Sequence, residues 1–240
     1  MRCYLRPQNI RAISFDLDDT LYDNEPHILN AEAELTQFLH QAFPLTQAWQ
    51  PQQWRLLKLQ LLQQNPALAH DTSAARIATL YKGLSLLGYS ESEAERGAQE
   101  GLDCFYFYRS HFQVSDEVLA LLTRLSAHFR LIGITNGNVD AQRIGLSDVF
   151  EFVLHPGSGV RMKPAKDMFS QACERLDIGL DELLHVGDSM NADVRGARLA
   201  GCQSVWLNPS FGRVASLPIA ALLPHMEIAT LDALLEILLP

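Results

Sequence analysis

The sequence predicts an α/β protein, a doubly wound parallel sheet with an all-α block inserted after its first strand. Three observations carry that prediction. A short β-rich run, Ala12-Ile13-Ser14-Phe15, ends abruptly in the acidic cluster Asp16-Leu17-Asp18-Asp19-Thr20, as a buried strand entering a polar loop would. From about Glu25 to Tyr108 the pattern is helical only. After Ser110 strand and helix patterns alternate, and alternation at these lengths implies right-handed crossovers between parallel strands.

The helical block holds room for four helices. Pro26 and Pro51 suit first-turn positions, Gly88 suits a C-terminal cap, and Ser90 with Glu93 has capping-box spacing. The alternating part then reads as helix Asp116 to Ala127, strand Leu131 to Thr135, helix near Val139 to Ile144, and strand Phe152 to Leu154. Helix Pro164 to Leu176, strand Leu183 to Val186, helix Asn191 to Ala200, strand Ser204 to Leu207 and a last helix from about Leu231 to Leu238 follow. The junctions fall near Tyr22 to Asn24 and Arg109 to Val114. Residues 1–22 and 110–240 therefore make one unit and residues 23–109 another, with no internal repeat.

Composition narrows the partners. A formal net charge of -9 over 240 residues argues against a basic surface for nucleic acid, so a phosphate-bearing ligand must be small and held by local donors or a metal. No segment approaches the ~20 apolar residues of a membrane span, and the first residues show no apolar leader, so the expected place is the cytoplasm, away from membranes. Cys3, Cys104, Cys173 and Cys202 are widely spaced and read as reduced structural thiols. Nothing in the sequence speaks to the oligomeric state.

The chemistry-bearing residues share one kind of place. Asp16 and Asp18, Thr135 and Asn136, and Asp188 and Ser189 each follow directly on a predicted strand, at its carboxyl end, where open parallel sheets bind ligands. If the strand before Asp16 lies between the other two, all three sets meet. Asp16-x-Asp18 turns two carboxylates the same way, and their repulsion calls for a cation or a proton. A hard ion such as Mg²⁺ answers that need, with Asp188 as a further ligand. Either acidic stretch alone could be a turn or a helix cap. Asp-x-Asp-x-Thr, however, arises by chance at only about one position in eight thousand when each residue type is near ~5% of composition.

These residues resemble the haloacid dehalogenase-like (HAD) hydrolases. The four motifs read here as Asp16-Leu17-Asp18-Asp19-Thr20, Thr135 with Asn136, Lys163 with Pro164, and Gly187-Asp188-Ser189 with Asp193. The resemblance implies a Rossmann-like core with a helical cap of type one. It implies that Asp16 attacks phosphorus to give an aspartyl phosphate while Asp18 acts as acid and then base. Mg²⁺ would be held by Asp16, Asp188 and the Asp18 carbonyl. Thr135 and the Asn136 amide would grip the phosphate, Lys163 would supply a fixed positive charge, and Asp193 would orient Lys163 or the metal's waters, with Ser189 in support. Lys166 fits less well, since the family lysine directly precedes the proline.

Two further distinctions follow from the resemblance. A haloacid dehalogenase lacks an acid equivalent to Asp18, so phosphoester hydrolysis of a small phosphorylated metabolite is the expected reaction. Asp16 to Asn24, Ile134 to Asn138, Phe150 to Leu154, Leu184 to Ser189 and Leu222 to His225 also resemble the phosphatases of bacterial riboflavin biosynthesis. That implies flavin mononucleotide and 5-amino-6-(5-phospho-D-ribitylamino)uracil as substrates. A phosphomutase, a sugar-phosphate phosphatase and a non-catalytic binding protein are the alternatives. Phe105-Tyr106-Phe107-Tyr108, Trp49 and Trp54 read as core aromatics, His185 as a core imidazole with some chance of lining the pocket, and Tyr22-Asp23-Asn24 as a hinge turn or a leaving-group contact.

Overall fold

Residues 1–215 and 222–239 are described by the computed structural model. The chain opens on a two-residue strand, β1 (Arg2–Cys3), and then forms β2 (Ala12–Phe15), whose four side chains are all buried. Ile13 and Phe15 face one hydrophobic core and Ala12 the other, the alternation required of a strand covered on both sides.

Four helices follow: α1 (Glu25–Ala42), α2 (Pro51–Gln64), α3 (Thr72–Leu86) and α4 (Glu91–Arg109). Their boundaries have local causes. Pro26 and Pro51 sit in first turns, Gly88 leaves α3 with φ of +99°, and Ser90 and Glu93 exchange backbone bonds at the start of α4 (2.9 and 3.4 Å). These helices bury a core of their own, including Leu35, Leu39, Leu80, Leu84 and Phe105. Of the four consecutive aromatics at the end of α4, only Phe105 is fully buried, and Phe107 is exposed.

The rest of the chain forms α5 (Asp116–Ser126), β3 (Arg130–Ile134), β4 (Val153–Leu154), α6 (Asp167–Leu176), β5 (Leu183–Gly187), α7 (Gly196–Ala200), β6 (Gln203–Leu207), β7 (Met226–Ile228) and α8 (Ala233–Leu238). The seven strands lie in the order β1-β7-β6-β5-β2-β3-β4. α5 and α8 contribute to the core on one face of the sheet (Leu122, Leu125, Leu234), and α6 and α7 to the other (Met168, Phe169, Ala197). β2 is flanked by β5 and β3, both parallel, with Phe15 level with Val186 and with Gly133. The expected adjacency of the three motif-bearing strands therefore holds. Among the described residues, no helix is long and apolar enough to cross a membrane, and all four cysteines are free.

Four details depart from the sequence reading. The sheet is parallel except at its edge, where β1 pairs antiparallel with β7, and both of these strands escaped a periodicity search because they are two and three residues long. The helix expected at 139–144 is a series of turns. The Asp140 carboxylate accepts from the amides of Gln142 and Arg143, and Gly145 at φ of +88° ends the run. α6 begins at Asp167 instead of Pro164, since the Lys163 backbone is pinned to Asn136 at both its N–H and its carbonyl. The expected helix from Asn191 starts as a wide π-type turn, Met190–Arg195, before α7.

Candidate active site

Three loops leave the carboxyl ends of β2, β3 and β5 and meet above the middle of the sheet. The backbone N–H of Asp16 still bonds across to the Val186 carbonyl (2.9 Å), so the side chain emerges at the last rung of the ladder and is held rigidly. Beyond it the chain folds into a tight loop, with Thr20 and Leu21 both donating to the Leu17 carbonyl and Asp19 in the left-handed region at φ of +58°.

Lys163 is the centre of charge. Its side chain is 1% exposed, and its Nζ donates to Asp16 Oδ1 (2.7 Å) and to the Ile134 carbonyl (2.5 Å) and pairs with Asp193 Oδ1 (2.7 Å). Burial works against the ammonium, yet Asp16 and Asp193 outweigh it and hold the proton more tightly than usual. For Asp193 burial likewise opposes the charge, while Lys163 and a hydrogen bond from His185 pull the carboxyl well below its ordinary range. Asp193 Oδ2 accepts from the Ser189 N–H (2.8 Å), a contact that spans the start of the π-type turn.

A buried relay supports this from behind. His185 Nε2 lies 3.2 Å from Asp193 Oδ1 and its Nδ1 lies 2.8 Å from Ser14 Oγ. Burial, then the charge of Lys163, lower the His185 pKa, so the neutral ring donates to Asp193 and accepts from Ser14. His185 is thus a satisfied core imidazole that braces Asp193.

Asp18 projects elsewhere. Its Oδ1 accepts from Tyr22 Oη (2.6 Å) and forms a short ion pair with the guanidinium of Arg109, the buried last residue of α4. Oδ2 lies over Gly137, where a Cβ would approach it to 2.3 Å, so the glycine after Asn136 makes room for the carboxylate. Thr135 is fully buried and its Oγ1 accepts from the Gly137 amide (2.9 Å), which fixes that loop. Asn136 turns its amide group onto the Lys163 backbone (2.8 and 2.9 Å), so its side chain positions Lys163 and only its backbone is left for a ligand.

Asp188 accepts a long hydrogen bond from Thr20 (3.4 Å), and its carbonyl takes the indole N–H of Trp206 (2.7 Å). Burial, then the nearby carboxylates of Asp193 and Asp19, push the Asp188 carboxyl up to about 7. Asp16 is also raised well above the carboxylate range by burial, despite Lys163. Oxygens of Asp16, Asp188 and Asp193 all lie within 4.8 Å of one another. Three hard oxygen donors with an excess of negative charge fit a divalent cation, which would relieve both raised carboxyl groups.

The sequence profile of the haloacid dehalogenase-like hydrolases matches residues 10–201, most of the chain and every residue of this cluster. The chain belongs to that family. It is 36% identical over 238 residues to the 5-amino-6-(5-phospho-D-ribitylamino)uracil phosphatase YigB of Escherichia coli, a match covering 99% of this chain and 100% of the relative. Among solved structures it resembles a 2-haloacid dehalogenase from Pseudomonas syringae pv. Tomato, with TM-score 0.89, 35% identity, and 95% and 98% of the two chains covered. It shares the fold of a HAD phosphatase from Thermococcus onnurineus, with TM-score 0.61, 24% identity, and 95% and 98% covered.

Against this HAD background, the sequence reading brought Asp16, Asp18, Thr135, Asn136, Lys163, Asp188, Ser189 and Asp193 to one place, and the structure assembles all eight around the ends of β2, β3 and β5. It missed Arg109. A lone arginine ending an amphipathic helix reads as a favourable C-terminal charge, and nothing local reveals that the helix end returns to Asp18. Ser14 carried a weak signal, a polar residue inside a buried β-run. Lys166 is exposed on the surface, and Asp23 and Asp19 share Arg213 (3.0 and 2.6 Å). Tyr22 joins the Asp18 contacts as the turn into α1 begins.

Proposed function

We propose that this hydrolase cleaves phosphomonoesters of small metabolites with Mg²⁺, by way of a phosphorylated Asp16, and that 5-amino-6-(5-phospho-D-ribitylamino)uracil and flavin mononucleotide are its substrates. The observation that carries the reaction class is the pairing of a buried carboxylate fixed by Lys163 with a second, independently held carboxylate two residues on. That second group, Asp18, is what the single-aspartate dehalogenation chemistry lacks, and it favours phosphoester hydrolysis despite the resemblance to a dehalogenase structure. The near full-length relationship to the bacterial enzyme supports the substrate.

In this reading Asp16 Oδ attacks phosphorus in line, the ester bond breaks, and Asp18 gives a proton to the leaving oxygen. Water then attacks the aspartyl phosphate, loses its proton to Asp18, and inorganic phosphate departs with Asp16 regenerated. With Asp18 Oδ1 engaged by Tyr22 and Arg109, Oδ2 beside Gly137 is the oxygen left to exchange the proton. Lys163 opposes charge on the transferring group, and the Thr135 loop offers backbone N–H groups to its oxygens. Mg²⁺, held by Asp16, Asp188 and the Asp18 carbonyl with Asp193 close by, would supply charge neutralisation and orientation of the phosphate. We assign residues 23–109 the role of a cap that excludes water and contacts the substrate, over a core made of 1–22 and 110–240.

Phosphate release from the two proposed substrates and from a sugar phosphate tests the proposal. Turnover should vanish in chelator, return with Mg²⁺ and return poorly with Ca²⁺, whose longer, looser coordination misplaces the phosphate. Asp16→Asn should stay folded and lose several decades of activity. Full turnover in excess chelator, or a tenth of wild-type rate in Asp16→Asn, would overturn the mechanism. A strong preference for the sugar phosphate would overturn only the substrate.

A further inference from the structure

A cavity lies within the helical block, between α1, α2 and α3, and contains none of the catalytic residues. It is open to solvent on one side and holds about 580 Å³, within the range of small-molecule sites. Leu35, Leu39 and Leu80 contribute buried apolar surface, and Trp49 and Trp54 form an aromatic wall, their rings 5.0 Å apart at 69°. Trp54 is seated tightly against α3. A Cβ at Gly83 would come within 2.2 Å of its ring, so the residue opposite can only be glycine if the wall is to stay as it is. The wall is therefore formed before any ligand arrives, which reduces the ordering that binding requires.

The charges of this cavity run against those of the protein. Three cations, Arg55, Lys58 and Arg76, line it with a single carboxylate, Glu32, in a chain of net charge -9. Glu32 is already committed to Arg76 through two bonds (2.7 and 3.3 Å), and the buried Nε of Arg76 has no partner among the described residues. Partial burial and then the positive charge of Arg76 lower the Lys58 pKa, against the pull of Glu32, as expected for crowded cations short of an anion.

We propose that this cavity is a second ligand site, separate from the catalytic centre, for a planar aromatic molecule that carries one anionic group. The ring packs against Trp49 and Trp54 over the leucine floor, and the anion takes the charge of Arg55 and Lys58. Its lining contains no residue of the Asp16 cluster.

Calorimetric titration of the full-length protein with naphthalene-2-sulfonate, and with its neutral counterpart naphthalene-2-sulfonamide, tests this. The sulfonate should bind clearly more tightly. Lys58→Gln combined with Arg55→Gln, both at exposed positions, should weaken the sulfonate roughly tenfold and leave the sulfonamide unchanged. Hydrolysis of para-nitrophenyl phosphate by that variant should match wild type. Trp49→Ala should weaken both probes, with a melting curve to confirm folding. Equal binding of the two probes, or no effect of the double substitution, would each overturn the proposal.

Discussion

Asp188, a proposed metal ligand, is a residue whose charge weakens the fold on its own. Its carboxyl is pushed up to about 7 by burial and by Asp193 and Asp19, while in the unfolded chain it titrates near ~3.9. Between those values the folded state binds the proton more tightly than the unfolded state, so stability falls as pH rises from about 4 to about 7. The metal-free protein should therefore lose part of its melting temperature over that window. Asp188→Asn should flatten this loss and gain on the order of 1–2 kcal/mol over wild type at pH 8 without metal, the shift being discounted for partial exposure. Excess Mg²⁺ should restore wild type and do little for the variant. Melting curves at pH 5 and pH 8, with and without Mg²⁺, check this, and a wild type equally stable at both pH values relative to Asp188→Asn would contradict it. Such residues were readable in the sequence because chemistry confines them to a few types at strand ends. Arg109 and Ser14 were not, because their partners, Asp18 and His185, are 91 and 171 residues away along the chain.

Legibility at the scale of elements followed length and covering. β2, β3, β5 and β6, four or five residues each and largely buried, announce themselves as apolar runs, and α1, α2 and α4 by their proline or capping-box starts. The turns at 140–145 failed the same test, because the chain between the buried Val139 and Ile144 is held by the Asp140 carboxylate instead of a helical ladder. Close approach of helices is a further property that periodicity hides. α4 presents Gly97 and Gly101 to its neighbours, and a Cβ at Gly97 would meet Leu84 at 2.5 Å and Phe43 at 2.7 Å. Gly97→Ala gains up to about 1 kcal/mol of helix propensity but forces two well-packed side chains to move, at about 1–3 kcal/mol. Overpacking should win, giving a net loss of about 1 kcal/mol in denaturant unfolding. An unchanged or raised midpoint would show that Phe43 and Leu84 repack freely.

At the scale of the whole molecule the question is how a helical block and a sheet divide one reaction. Polar contacts between them include Arg109 with Asp18, Arg213 with Asp23 and Glu25 (3.0 and 3.5 Å), Ser73 with Asn138 (3.4 Å), and Asp71 accepting from the Ser158 amide (3.4 Å). Tyr106 shares a short hydrogen bond with Ser73 and lines a cavity of about 240 Å³ with Asn138 and Asp140. Lys163, by contrast, contacts Asp16, the proposed nucleophile, which every phosphoryl group would meet. Lys163→Ala should accordingly lower kcat/KM for all substrates by a similar factor, on the order of 10² to 10³, the loss typical of one preorganised electrostatic donor. Tyr106→Ala should act selectively, by about 1–3 kcal/mol on a bulky substrate and far less on a small one, as an apolar specificity contact does. The comparison is kcat/KM for flavin mononucleotide, a sugar phosphate and para-nitrophenyl phosphate in each folded variant. If Tyr106→Ala depressed all three equally, the helical block would serve as a lid that excludes water and would have no part in choosing the substrate.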